Sequence, residues 1–182
     1  FEIYKTNNEF CIDTFPITIC KLVRMKRCKL IQGKEYLGYN ASKDEYYFGF
    51  KIHIVISRQG GIVEFEISPA SFHDGVGFKL LDLDLPHNSE LFADKAYNNY
   101  LQEDILLDSN IKLMPVRKEN SKKPDNTVSG NYIKKSKRKI IETVIGEIQK
   151  LFPKKIHATN LPGLLLKLFG FLLSYNFSLL FD

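Results

Sequence analysis

Cysteine is scarce in this chain: Cys11, Cys20 and Cys28 are the only three among 182 residues, and no two stand in a CxxC pair. An odd count without that spacing points away from a disulfide framework and a cysteine-ligated zinc site, and towards a reducing, cytoplasmic compartment. A signal-peptide pattern is also missing, because Glu2, Lys5 and Glu9 interrupt the first apolar residues. There is no glycine-rich phosphate loop closing on Lys-Ser or Lys-Thr, and no Gly-x-Ser-x-Gly elbow, so P-loop and serine-hydrolase chemistry have no footing. The initiating methionine is absent too. The chain opens on Phe1 and is read as a fragment lacking an N-terminal region.

What is present suffices for one substantial core: 44% of the residues are hydrophobic, and a single domain over 1–182 is expected. The net charge is +5, unevenly placed. Between Lys112 and Lys155 there are thirteen Lys or Arg against four Asp or Glu, which is half of the chain's 26 basic residues. Such clustering fits a surface for a phosphate backbone, although a solvated lysine-rich loop has the same composition. A second basic run, Arg24, Lys26, Arg27, Lys29 and Lys34, reads as a surface loop facing an anionic partner.

Periodicity supplies the elements. A strand is expected around Cys11–Phe15, broken by Pro16. Phe48, Phe50, Ile52, Ile54 and Ile56 alternate with Gly49, Lys51 and His53, and the alternation resumes after Gly60-Gly61 with Val63, Phe65 and Ile67. This period of two predicts an antiparallel hairpin with one buried face, ended by Pro69. His53 falls on the opposite, solvated face in that reading. Asp74 is placed to cap a helix from Gly75 to Leu83, and Asn98 or Asn99 to cap a helix carrying Leu101, Ile105 and Leu106. Leu91–Asp94 and Ile111–Val116 read as strands on either side of that second helix, which implies a parallel crossover.

Residues around 117–136 are basic and polar and are expected to form a mobile insertion. A helix from Ser136 to Phe152 then buries Ile140, Ile141, Val144, Ile145 and Ile148. The last segment, 161–181, is nearly all apolar and long enough to span a bilayer. Its stripe of Gly163, Lys167, Gly170, Ser174 and Ser178 favours instead a helix packed in a domain or at a subunit contact. The resulting expectation is an α/β fold: a mixed five-stranded sheet, three antiparallel strands followed by parallel crossovers, flanked by helices. That is the order of ribonuclease H-like folds.

Three carboxylates interrupt apolar context: Asp13 after Cys11-Ile12, Asp94 after Leu91-Phe92-Ala93, and Glu142 between Ile140-Ile141 and Val144-Ile145. Near a core such groups are costly unless paired, hydrogen-bonded or metal-bound. Brought together at one sheet end, they would suit Mg²⁺, which prefers hard oxygen ligands, and a pair of ions roughly 3.5–4 Å apart serves phosphoryl transfer. The arrangement requires the strands of Asp13 and Asp94 to be neighbours. Taken singly, each also has a bland reading, as strand-edge carboxylate, helix-approach cap and exposed helical glutamate. Lys134, Lys135, Lys137, Arg138 and Lys139 are the expected phosphate contacts, and Arg138 shares a helix face with Glu142. A two-carboxylate glycosidase leaves the basic region unexplained.

Several blocks in order carry a resemblance: Ile12-Asp13-Thr14-Phe15-Pro16-Ile17 with Cys20, Gly49-Phe50-Lys51-Ile52-His53, Ser68-Pro69-Ala70, His73-Asp74, Ala93-Asp94-Lys95-Ala96-Tyr97, then Arg138 and Ile141-Glu142-Thr143. In these the chain resembles the catalytic domain of DDE transposases of bacterial insertion sequences, over about Asp13 to Phe181. The resemblance implies that Asp13, Asp94 and Glu142 are catalytic metal ligands for Mg²⁺ or Mn²⁺, two ions in all. It also implies cleavage of double-stranded DNA at element ends and joining of the freed 3′ hydroxyl to target DNA. A homodimer or larger assembly on DNA, a bacterial nucleoid-associated setting and no membrane follow from the same likeness. His53, His73 and Lys95 are accessory candidates. His73 can equally serve a helix start, and His87 and His157 read as structural. Tyr46-Tyr47-Phe48 reads as core and strand surface rather than a base-stacking platform.

Related transposases carry Y-x2-R-x3-E-x6-K around the glutamate. Arg138 and Glu142 match it, whereas Lys135 stands at the tyrosine position and Gln149 at the lysine position, with Lys150 one step later. These departures keep a second reading open: a truncated or decayed copy that binds nucleic acid without chemistry.

Overall fold

Thirteen residues, Glu45–Ser57, form the central strand β3, around which the sheet is assembled. The computed structural model describes residues 2–117, 121, 128–153 and 155–181, with the side chains of 128–131, 133 and 135 outside the described set. The strands are β1 (Glu9–Cys20), β2 (Leu37–Asn40), β3, β4 (Ile62–Pro69), β5 (Ser89–Ala93) and β6 (Ile111–Pro115). The helices are α1 (Asp74–Leu80), α2 (Tyr100–Asp108), α3 (Val128–Leu151) and α4 (Leu161–Ser178).

The sheet runs β2-β3-β1-β5-β6, with β4 also paired to β3. It has six strands where five were expected. The additional one is β2, whose residues pair with Glu45–Phe48 of β3, while β4 pairs with Phe50–Ile56 further along. The two short strands therefore share one edge of β3, end to end, and the sheet stays five strands wide. β1, β3 and β4 are antiparallel; β5 is parallel to β1 and to β6, with α2 as the crossover between β5 and β6. This mixed sheet with helices on both faces is a ribonuclease H-like fold.

Both faces of β3 are covered, which corrects the expectation of a one-sided hairpin. Ile52, Ile54 and Ile56 pack with Ile141, Val144, Ile148, Leu164, Leu168 and Leu172 from α3 and α4. The opposite face joins Val55 to Phe10, Ile12, Phe78, Leu91, Tyr97 and Leu106, towards α1 and α2. Each large aliphatic side chain buried in this way contributes about 1.5–3 kcal/mol. Alternation of apolar and polar residues fails as a burial signal here because a central strand sandwiched by helices places even His53 and Ser57 inside.

β1 continues through Pro16, with Pro16 opposite Lys51, where a break was expected. β1 touches β5 only at Glu9–Cys11. Beyond that point one edge of β1 is open, and a residue without an N–H is tolerated on a strand with an unpaired side. α3 starts at Val128, ahead of the expected Ser136, and the residues of the basic segment at 118–120 and 122–127 lie outside the described set. It ends at Leu151, where Pro153 removes the next helical donor.

α4 is the one described helix long and apolar enough to cross a membrane by length and composition. Its Leu164, Leu168, Leu172 and Tyr175 are buried. Asn176 clasps the β4 edge, donating from Nδ2 to the Ile62 carbonyl at 2.8 Å and accepting from the Ile62 N–H at 2.8 Å. The buried stripe is thus the leucine one, and the Gly163–Lys167–Ser174–Ser178 stripe lies partly or wholly at the surface.

Candidate active site

The parallel register of β1 and β5 explains why two distant aspartates meet. Cys11 stands opposite Phe92, so extending the pairing by two residues sets Asp94 beside Asp13. The strands of Asp13 and Asp94 are neighbours, as the metal-site expectation requires. α3 crosses both strands and delivers Arg138 onto the pair. Its guanidinium places Nη2 3.4 Å from Asp13 Oδ2 and Nη1 3.3 Å from Asp94 Oδ1.

The two carboxylates differ in environment. Asp13 has its side chain 23% exposed and accepts the Thr14 N–H at Oδ1, 2.8 Å. Burial raises its carboxyl above the ordinary range; the Thr14 N–H and Arg138 oppose that, while the charges of Asp94 and Asp74 add to it. Asp94 is 44% exposed and accepts the Lys95 N–H at 2.6 Å, which caps a 3-10 turn at Lys95–Tyr97. Tyr97 is buried behind them, edge-on to Phe78, and burial holds its phenol well above its usual value.

A cleft of about 650 Å³ opens along the free edge of β1. Asp13, Asp74, Asp94 and Lys51 lie at its acidic end, Ile145 and Gln149 of α3 with Phe152 just past it form one wall, and Tyr39–Lys43 the far rim. Asp74 was expected to cap α1. Its side chain instead accepts from Thr14 Oγ1 at 3.2 Å and from Lys51 Nζ at 3.0 Å, and His73 takes the cap position without a side-chain cap bond. Lys51 also donates to the Phe72 carbonyl at 2.8 Å. Thr14, Lys51 and Asp74 therefore brace the strand that carries Asp13. The trio has no spacing of its own in the sequence, although Lys51 and Asp74 stand in the blocks Gly49–His53 and His73-Asp74.

Glu142 is not drawn to the aspartates. It is exposed on α3, with no hydrogen bond or ion pair among the described residues, and no three His, Cys, Asp or Glu are gathered there to hold a metal ion. Its helix face is the relevant one, since Arg138 at i−4 touches the aspartates and Ile145 and Gln149 at i+3 and i+7 line the cleft.

The expected phosphate contacts divide. Lys134 is 3% exposed and donates to the Pro115 carbonyl, so it is a buried tether and not a surface cation. Lys137 pairs with Glu9, and Arg138 is held by the two aspartates. Lys139 is exposed, and the side chain of Lys135 lies outside the described set.

Of the accessory candidates, Lys95 and His73 are exposed near the cleft mouth. His53 is fully buried, contrary to the solvated reading, with Nε2 2.8 Å from Ser68 Oγ. Gly77 packs so closely on its ring that a Cβ there would come within 2.0 Å of Cε1. Burial lowers the imidazole to about 4. Its folded value is depressed, so the unfolded chain takes up a proton first, and stability is lost as pH falls from about 6.5 towards 4. The loss expected is about 3 kcal/mol, at about 1.36 kcal/mol per unit. Melting temperature against pH should fall more steeply in the wild type than in His53→Gln across that window; parallel curves would count against a neutral buried histidine.

The ribonuclease H-like sheet thus sets Asp13, within β1, beside Asp94, just past the end of β5. The chain matches the family described as transposase DDE domain over residues 5–159, and it belongs to that family. No curated protein and no solved structure matches it. Family membership makes DNA transposition its activity class, with DNA as partner and divalent metal ions as the family's general cofactors.

Proposed function

We propose that this chain is the catalytic domain that cuts DNA at element ends and joins the freed 3′ hydroxyl to target DNA, with Asp13, Asp94 and Glu142 as the acidic triad. The observation that carries the reading is the meeting of Asp13, within β1, and Asp94, just past β5, on the Arg138 guanidinium at the head of an open cleft. Their oxygens are hard donors suited to Mg²⁺ or Mn²⁺, and the Arg138 guanidinium against both supports a pair that takes positive charge. The residues present therefore fit the divalent ions the family uses. Asp13 and Asp94 would hold them, with Glu142 closing the set from α3.

When bound, two such ions supply Lewis-acid stabilisation to the attacking and leaving oxygens. The chain's own residues do the rest. Lys51, Thr14 and Asp74 fix the β1 edge, so that Asp13 keeps its position when a phosphate arrives. The α3 wall and the Tyr39–Lys43 rim confine the strand that enters. Gln149, at the position where related enzymes have lysine, offers an uncharged contact on that wall. Assembly as a dimer or larger complex on DNA, in a cytoplasmic nucleoid setting, belongs to the same proposal.

The test is nicking of supercoiled plasmid and joining of labelled 3′-hydroxyl oligonucleotides in Mg²⁺ or Mn²⁺. Cut and joined products that vanish with EDTA are the expected result. Salt-sensitive duplex binding with no cut product in either metal would favour the second reading, a non-catalytic binder, which the isolation of Glu142 from the aspartates supports.

A further inference from the structure

The basic run between β1 and β2 folds into a surface that the catalytic site does not use. Leu22–Arg27 is a 3-10 helix with Lys21 at its N-cap position and Cys28 at its C-cap. A 3-10 helix has three residues per turn, so side chains three apart eclipse and stand about 6 Å apart along the axis. Lys21, Arg24 and Arg27 fall on that period and are all exposed. Lys26, Lys29 and Lys34 flank them, also exposed, and the next acid along the chain is Glu35. Among the described residues none of these six cations has an ion-pair partner, whereas Lys5, Lys51, Lys137 and Arg138 all do.

Two further facts give the patch a ligand and a position. Phosphates on one strand of B-DNA rise about 3.4 Å each along the axis and are further apart through space, so a row of cations about 6 Å apart is on the scale of successive backbone phosphates. The patch also lies a set distance from the aspartates. β1 runs from Asp13 to Cys20, with a register irregularity between Thr18 and Cys20, seven residues on or about 23 Å at 3.3 Å per residue. The cleft follows that strand from Asp13 through Thr18. The underside of the segment is anchored, with Met25, Cys28 and Leu30 packed on the core that contains Phe48, so the cations are presented on a fixed element.

We infer that Lys21, Arg24 and Arg27, with Lys26, Lys29 and Lys34 beside them, form a second DNA-binding surface. It grips the phosphate backbone of a duplex arm about seven base pairs from the phosphate held at Asp13. This rests on the proposed cutting reaction for its reference point. The surface contributes affinity and alignment without reading bases, because cations on phosphates carry no sequence information.

The experiment compares the wild type with the triple variant Lys21→Ala, Arg24→Ala, Arg27→Ala on labelled duplexes, over a salt series. On a long duplex the variant should bind more than about tenfold more weakly at 0.1 M salt, with the slope of log K against log salt reduced by about 2–3 units. Lys21→Arg, Arg24→Lys, Arg27→Lys should restore the slope. On duplexes cut back to fewer than about seven base pairs either side of the reacting phosphate, wild type and variant should bind alike. Unaltered melting temperature is expected, since the substituted side chains are exposed and unpaired. An unchanged salt slope on the long duplex, with the wild type still cutting DNA, overturns this inference alone. A folded wild type that fails to bind any duplex overturns the proposed function and this surface with it.

Discussion

Asp13→Asn and Asp94→Asn should each lower metal-dependent strand cleavage about 10³-fold or more, with duplex affinity held within a few-fold. A Lewis-acid metal supplies several kcal/mol of transition-state stabilisation, and each 1.36 kcal/mol is a factor of ten, so loss of a ligand costs about three decades. The amide keeps the shape: Asn at 13 retains an oxygen for the Thr14 N–H, and Asn at 94 one for the Lys95 N–H. Neither change should unfold the protein. The carboxyl of Asp13 is raised by burial, so its contribution to stability is present below the ordinary carboxylate value and is lost as pH rises through the folded one. At neutral pH the ionised Asp13 is therefore a cost to the fold, and Asp13→Asn should melt at the wild-type temperature or above it. Retention of Mg²⁺-dependent nicking in either variant at more than a tenth of the wild-type rate would remove that residue from the metal site. A variant that melts well below the wild type would make loss of nicking uninformative, and calorimetry belongs beside the assay for that reason.

The aspartates stood out in the sequence because each ends or interrupts an apolar run, but their meeting depends on β1 and β5 being neighbours in the sheet, which no local pattern states. Register did the rest, and register is not written in composition. The sheet, its antiparallel hairpin and the parallel crossover are legible in the periodicity, but β2 is not. Four residues with only Leu37 and Tyr39 as large side chains give no period to detect, and β2 exists because β3 is long enough to hold two partners on one edge. His53 was misplaced for a related reason: alternation tells which residues share a face, whereas burial of that face depends on α1 docking through Gly77. Lys134 looked like part of a basic surface, and only the path of α3 past β6 reveals that its ammonium meets the Pro115 carbonyl. Asp74 matched a helix-start pattern well enough to hide its contacts with Thr14 and Lys51, since an Asp before a helix is usually a cap.

Glu142→Gln should also reduce cleavage about 10³-fold, and this is the sharper test of the triad, because the geometry leaves more for Glu142 to do. Arg138, Glu142, Ile145 and Gln149 follow one another at spacings of four, three and four, a single stripe along α3. Arg138 at one end touches Asp13 and Asp94, and Ile145 and Gln149 at the other line the cleft. Glu142 lies between them on that stripe, yet its carboxylate is exposed and unengaged among the described residues. Divalent ions held by Asp13 and Asp94 would take Glu142 as their further oxygen ligand from α3, one turn beyond Arg138 on the same stripe. Glu147→Gln, on the same helix but bonded to Tyr175 instead, is the matched control and should cut at the wild-type rate. Equal activity in Glu142→Gln and Glu147→Gln would reduce the site to two aspartates. A loss confined to Glu142→Gln, with metal titrating at higher concentration than in the wild type, would place the third ligand on α3.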